Sequence, residues 1–176
     1  MTQTAENPLA PTALDPSRPT DFRGLLGSFA TGLTIVTAQT AEGPVGFTCQ
    51  SFSSLSLDPP LITICPSRTS STWPRIAPGG RFCVNVLSAA QESLSNRFAT
   101  SGIDKYADVT WRPSPSGDPI LEDSLAWLDC RVEHVHEGGD HHIVLGRVGA
   151  MGSADRGEPL LFHRGRYASL SGTHHQ

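Results

Sequence analysis

No stretch of this 176-residue chain is apolar for long enough to cross a bilayer, and no basic segment followed by an apolar one opens it. Neither a membrane span nor a secretory leader is therefore expected. Cationic side chains are few, 13 Lys and Arg against 17 Asp and Glu, for a formal charge of -4. That balance argues against nucleic acid or an anionic membrane surface as a partner. Cysteine is limited to Cys49, Cys65, Cys83 and Cys130, none of them in a CxxC pair, so no zinc or thioredoxin-type motif is present. Each sits in an apolar run and reads as a buried, reduced thiol of a cytoplasmic protein. GxGxxG, Walker A and GxSxG are missing as well, which removes the signatures of a Rossmann dehydrogenase, a P-loop NTPase and an α/β-hydrolase. Gly146, Gly149 and Gly152 repeat at the wrong spacing and lead to no helix.

What is present is one domain's worth of short apolar runs. Residues 1–18, with Pro8, Pro11 and Pro16, are too poor in apolar side chains to order themselves and read as a tail. The folded domain is placed at 19–171, with a short C-terminal tail at 172–176. Thr20 is a candidate N-cap for a helix carrying Phe22, Leu25, Leu26 and Phe29 at i, i+3, i+4 and i+7, with Gly32 as its stop. The β-branched run 33–38 and the return from Val45 to Phe52 predict a hairpin across Ala41–Pro44. Two further runs, 61–65 and 81–87, read as strands, the first as a central one. Ser88 and Gln91 have the capping-box spacing, opening a helix with Leu94 and Phe98 inward. Residues 100–120 read as a long loop, of the kind that often carries function. Alternation in 126–133 predicts a half-buried strand, turned at Gly138-Gly139-Asp140 and answered by 143–150. Short strands at 159–162 and 166–170 close the count at seven or eight, with two or three short helices. Hairpins outnumber βαβ units, so an antiparallel barrel is the expected way to hide the edges.

Three constellations bear on chemistry. Thr48, Gln50, Ser51, Ser53, Ser54 and Ser56 place six small polar side chains just ahead of Pro59-Pro60. They offer hydroxyls and main-chain groups to a flat polar ligand, or they form an ordinary loop. Ser67-Arg68-Thr69-Ser70-Ser71-Thr72 leaves an apolar strand for a helical turn, and serves either a phosphate or the helix cap. His134, His136, His141 and His142 gather around one hairpin, but adjacent His141 and His142 point to opposite faces of a strand and no metal-ligand spacing appears, so no metal is expected.

Taken in order, these segments resemble the flavin reductase family, and most closely the short-chain NAD(P)H:flavin oxidoreductases that feed two-component flavin-dependent monooxygenases. The resemblance rests on residues 29–37, 46–60, 82–87, Gly139-Asp140-His141, Pro159–Phe162 and Gly165-Arg166-Tyr167, covering about 22 to 170. It implies a mainly β fold, a split β-barrel of the flavin reductase or FMN-binding type, in a homodimer. It also implies FAD or FMN as the flavin, NADH or NADPH as the hydride donor, and a separate monooxygenase as the consumer of reduced flavin. The implied flavin contacts are Thr48, Cys49, Gln50, Ser51, Ser54 and Leu55 along the ring and Ser67, Ser71 and Thr72 at the phosphate. Asn96, Arg97 and Phe98 approach the flavin too, His141 orients the nicotinamide, and Tyr167 is its neighbour. Cys49-Gln50 stands where many relatives have Ala-Asn, so main-chain contacts are expected there sooner than side-chain ones. The rival expectations are a flavin-binding protein without reductase activity, a pyridoxamine-phosphate-oxidase-like enzyme, and a purely structural barrel.

Overall fold

A computed structural model describes residues 13–154 and 157–170. Most of the expected N-terminal tail and all of the C-terminal one lie outside the described residues. The architecture is mainly β, a split barrel with three short α-helices. In chain order the elements are α1 (Pro19–Leu26), β1 (Thr31–Gly32), β2 (Thr34–Thr40), β3 (Gly43–Cys49), β4 (Ser53–Leu57), β5 (Pro60–Ile64) and α2 (Trp73–Ile76). There follow β6 (Arg81–Val86), α3 (Glu92–Ala99), β7 (Trp111–Pro113), β8 (Pro119–Leu121), β9 (Ala126–Gly138), β10 (His141–Ser153), β11 (Leu161–His163) and β12 (Arg166–Ala168).

One seven-stranded antiparallel sheet, in the order β3-β2-β6-β9-β10-β5-β4, carries the fold, with β1-β11-β12 and β7-β8 as small satellites. Residues Thr34 to Ala38 are buried on both faces, so β2 separates two cores. Val36, Ile62, Ile64, Trp73, Phe82 and Val144 fill the barrel, while Ile35, Leu87, Phe98, Leu121 and Leu160 pack on the other side. Gly146 is part of the first core: a Cβ there would stand 2.7 Å from the Phe82 ring. The glycine repeat of β10 thus makes room for an aromatic ring at that position, a role its spacing alone did not disclose. The four cysteines are free, and three of them are fully buried.

Several expectations are corrected. The helix starts two residues early, with Arg18 rather than Thr20 as its N-cap, because Pro19 takes the first-turn position where its missing N–H costs nothing, and it ends at Gly27 rather than Gly32. None of its residues is buried. Strand 61–65 is not central but next to the edge, since β4 pairs outside it. The serine-rich segment is therefore a strand from Ser53 to Leu57 and not a loop. The expected loop at 100–120 contains the β7–β8 hairpin, whose Asp118 and Ser114 are buried. Asn85 holds it: its Oδ1 accepts the Leu121 N–H at 2.9 Å, and its Nδ2 donates to Pro119 O at 3.3 Å. At the capping-box position the Ser88 N–H donates to Gln91 Oε1 at 3.0 Å, and the turn opens as a 3-10 segment before α3.

Candidate functional site

The implied site residues come from five elements and the loops between them, and short groups of hydrogen bonds, linked through the chain itself, join about half of them. Thr48, near the end of β3, donates through Oγ1 to the carbonyl of Ser95 in α3 at 2.6 Å. Tyr167, on β12, has its hydroxyl 3.1 Å from Ser95 Oγ and 2.9 Å from Asn96 Oδ1. Two distant parts of the sequence are thus fixed to one helix turn. Their approach depends on Gly46, where a Cβ would meet the Phe98 ring at 2.7 Å.

One residue further on, the Cys49 sulfur lies 3.3 Å from Ser51 Oγ. Ser51 also accepts the Cys65 N–H at 2.8 Å and donates to the Cys65 carbonyl at 3.2 Å. With its single hydrogen used there, Ser51 receives the thiol hydrogen of Cys49. Burial pushes the Cys49 thiol up, and the Ser51 hydrogen bond opposes this only in part. A buried, protonated thiol is no nucleophile at neutral pH.

Past Cys65 the chain meets the Gly-Asp-His turn. His142 N–H donates to Pro66 O at 2.9 Å, Arg68 N–H donates to Asp140 O at 2.9 Å, and Ser67 bridges to His141. Asp140 sits 2.7 Å from His141 Nδ1, and that hydrogen bond holds its carboxyl below the ordinary range. Gly139 adopts φ 72°, which allows the tight reversal between β9 and β10. The structure therefore places the expected phosphate segment directly against the expected nicotinamide turn.

Not every implied residue joins these groups. Gln50, Ser54 and Leu55 are exposed along the end of β3 and the edge strand β4. Phe98 is fully enclosed, its ring packed against Gly46, so it has no exposed surface to offer a ligand. Cys49 is buried too, leaving only its main chain available. Arg97 turns away to donate to the Ala107 carbonyl and helps line a concavity of about 300 Å³ bounded also by residues 108–110 and 122–123. In the Ser67–Thr72 segment Ser70 Oγ accepts the N–H groups of Thr72 and Trp73, which is the helix-cap role. Ser67 Oγ pairs with Thr69 Oγ1 at 2.9 Å, and Ser71 is exposed. Ser95 was not foreseen. A serine inside a helix gives no sequence signal, yet it receives both Thr48 and Tyr167.

The donor set suits a flavin. From Thr48 to Leu57 the chain offers hydroxyls and main-chain groups and no acidic side chain, so a ring that gains negative charge on reduction meets no like charge along this stretch. Among the described residues no group of three or more His, Cys, Asp or Glu side chains is placed to hold a metal ion. No helix among them is long and apolar enough to cross a membrane.

Comparison with known proteins agrees. The model of the flavin reductase like domain matches residues 26–171. The reductase subunit HsaB of a flavin-dependent monooxygenase from Rhodococcus jostii is 47% identical over 167 residues, 95% of this chain and 84% of that protein. An FMN reductase (NADH), SmoA, of Agrobacterium fabrum is 42% identical over 85% of each. Among solved structures, the NADH:FAD oxidoreductase SgcE6 of Streptomyces globisporus, in complex with NAD and FAD fragments, superposes with a TM-score of 0.87 at 34% identity, covering 92% of this chain and 98% of that one. The ordered motifs, a split barrel and these relatives lead to one conclusion: the chain belongs to the flavin reductase family.

Proposed function

We propose that the protein is an NAD(P)H:flavin oxidoreductase that reduces FAD or FMN, with NADH as the favoured donor, and releases reduced flavin to a separate monooxygenase. The observation that carries this is the convergence of the implied segments: Tyr167 and Thr48 both bond to Ser95, Ser51 bonds to Cys49 and Cys65, and Ser67 bridges to His141. It gathers every segment needed to seat a ring, a phosphate and a nicotinamide, and it includes no activated nucleophile. The relatives named for NADH, FMN and FAD chemistry support the same reading.

When bound, the flavin accepts the hydride of the nicotinamide, a step whose chemistry belongs to the two cofactors. The chain's own work is positional. Main-chain groups and hydroxyls along 48–55 hold the ring, and the rigid Thr48–Ser95 contact keeps that bed from shifting. Such fixed dipoles oppose the negative charge that grows as the hydride arrives. His141, braced by Asp140 at 2.7 Å, would hold and orient the nicotinamide for transfer. The bed is an open surface in a single chain, and a homodimer would cover it.

The test is nicotinamide oxidation measured with NADH and NADPH against FAD, FMN and riboflavin. Turnover of free flavin in excess of enzyme is expected. No turnover with any pair sinks the reductase reading and leaves a flavin-binding protein. Colour that stays with the protein and is indifferent to added flavin replaces the substrate flavin with a fixed group.

A further inference from the structure

Arg68 is the one cation in the Ser67–Thr72 segment, and its guanidinium Nη2 lies 2.6 Å from Glu137 Oε1 on the last turn of β9. Both side chains face solvent, Arg68 at 41% and Glu137 at 85% exposure. The base of Arg68 is nevertheless fixed. Its N–H is tied to Asp140 O, the Pro66 carbonyl next to it to His142 N–H, and Ser67 to His141. A charged fork therefore swings from a rigid mount, beside two hydroxyls, Ser67 and Thr69, that are paired with each other at 2.9 Å. An exposed carboxylate–guanidinium pair is held weakly, because solvent screens it, so an incoming anion can replace the carboxylate. A phosphate does so well, because the planar fork matches two of its oxygens at once.

Resting on the reductase reading, we propose that Glu137 is a specificity-determining residue: as the resident counter-ion of Arg68 it sets how strongly the site takes a substrate phosphate monoester. Every phosphate that binds Arg68 first displaces this carboxylate. Glu137 thereby lowers the advantage of phosphorylated over unphosphorylated substrate, and its removal raises that advantage. The monoester is the terminal phosphate of FMN or the ribose phosphate of NADPH.

Steady-state constants for FMN against riboflavin, and for NADPH against NADH, distinguish the two sources in the wild type, Glu137→Gln and Arg68→Met. In Glu137→Gln the KM of the phosphorylated member of one pair is expected to fall about three- to five-fold, the size of a surface ion pair. The unphosphorylated member stays put. Arg68→Met raises the same KM and again spares the unphosphorylated member, and the pair that responds names the source. The idea is overturned if Glu137→Gln moves both members of each pair alike or moves none. Fluorescence titration of FMN and riboflavin, and calorimetric titration of NADPH and NADH, repeat the comparison without turnover. A selective gain in binding by Glu137→Gln with no oxidation of nicotinamide would sink the reductase reading and leave the counter-ion role standing.

Discussion

At the scale of single residues, the site and the buried polar network are held by different means. Thr48, Ser51 and Tyr167 are small dipoles satisfied by short hydrogen bonds, whereas Asp118 is a carboxylate with no exposed surface. Asp118 accepts the Gln39 N–H at 2.8 Å and faces Arg81 Nε at 3.4 Å, with Asp129 nearby. Burial outweighs these two partners and pushes its carboxyl above the ordinary value of 3.8. A folded-state pKa above the unfolded one stabilises the protein fully below the unfolded value, and that contribution is lost as pH rises through the folded value. Urea midpoints of the wild type and Asp118→Asn, measured from below pH 4 to neutrality, should therefore show the wild type losing ground to the variant as pH rises. A constant difference across that range would contradict the assignment. Legibility at this scale followed motif. Thr48, Ser51 and His141 were singled out through the family resemblance of their motifs, since a hydroxyl-rich run by itself reads as readily as a loop. Ser95, Asp118 and the Arg68–Glu137 pair were not, since each matters through a partner 31 or more positions away in the chain that only folding supplies.

At the scale of elements, the placement of α3 decides the shape of the bed. Its last turn leaves carbonyls without helical partners, and Lys105 answers one of them: Nζ donates to Phe98 O at 2.8 Å and to Gly46 O at 3.1 Å. The same ammonium therefore bridges α3 to β3, one residue before Phe47 and two before Thr48. Burial pulls the Lys105 pKa down, which marks the cost of keeping a charge there on carbonyl oxygens alone. Lys105→Met should lower thermal stability by the loss of two charge-assisted bonds, about 2 kcal/mol. It should also raise the KM for flavin more than that for nicotinamide, because Thr48 and Asn96 lose their shared register. Lys105→Arg, which keeps the charge and donors, should recover part of both. Equal changes in the two KM values would assign Lys105 to stability alone. Element boundaries were legible where periodicity was strong, as in β2, β6 and the β9–β10 hairpin. Strand β4 was not, because an edge strand exposed on both faces has no reason to alternate, and its hydroxyls gave the pattern of a loop. The β7–β8 hairpin was hidden in the same way, by three prolines and a glycine that act as turn signals while Asn85 supplies the pairing partner from elsewhere.

At the scale of the whole molecule, the apolar surface left outside is the main unbalanced quantity. The spacing of Phe22, Leu25 and Leu26 predicts α1, with Phe29 just past its end, but among the described residues nothing buries these side chains. Leu25 is 57% exposed and Phe29 75% exposed. Burying a large apolar side chain is worth about 1.5–3 kcal/mol, so three of them on α1 and a fourth just past its end are a strong reason for a second surface to cover them. We propose that this surface is a second copy of the chain. The same pairing would shelter Leu55 and Leu57 on β4, the latter 94% exposed, and with them the open side of the flavin bed. Stability, assembly and turnover then depend on one interface. Replacing Leu25 and Phe29 together with Ser should leave the fold intact, since neither contributes to either core, and should shift sedimentation from two chains to one. Flavin reduction should fall in parallel with the dimer fraction and return at high protein concentration. A wild type that sediments as a single chain with full activity would show that the bed is complete within one subunit and that α1 serves some other contact.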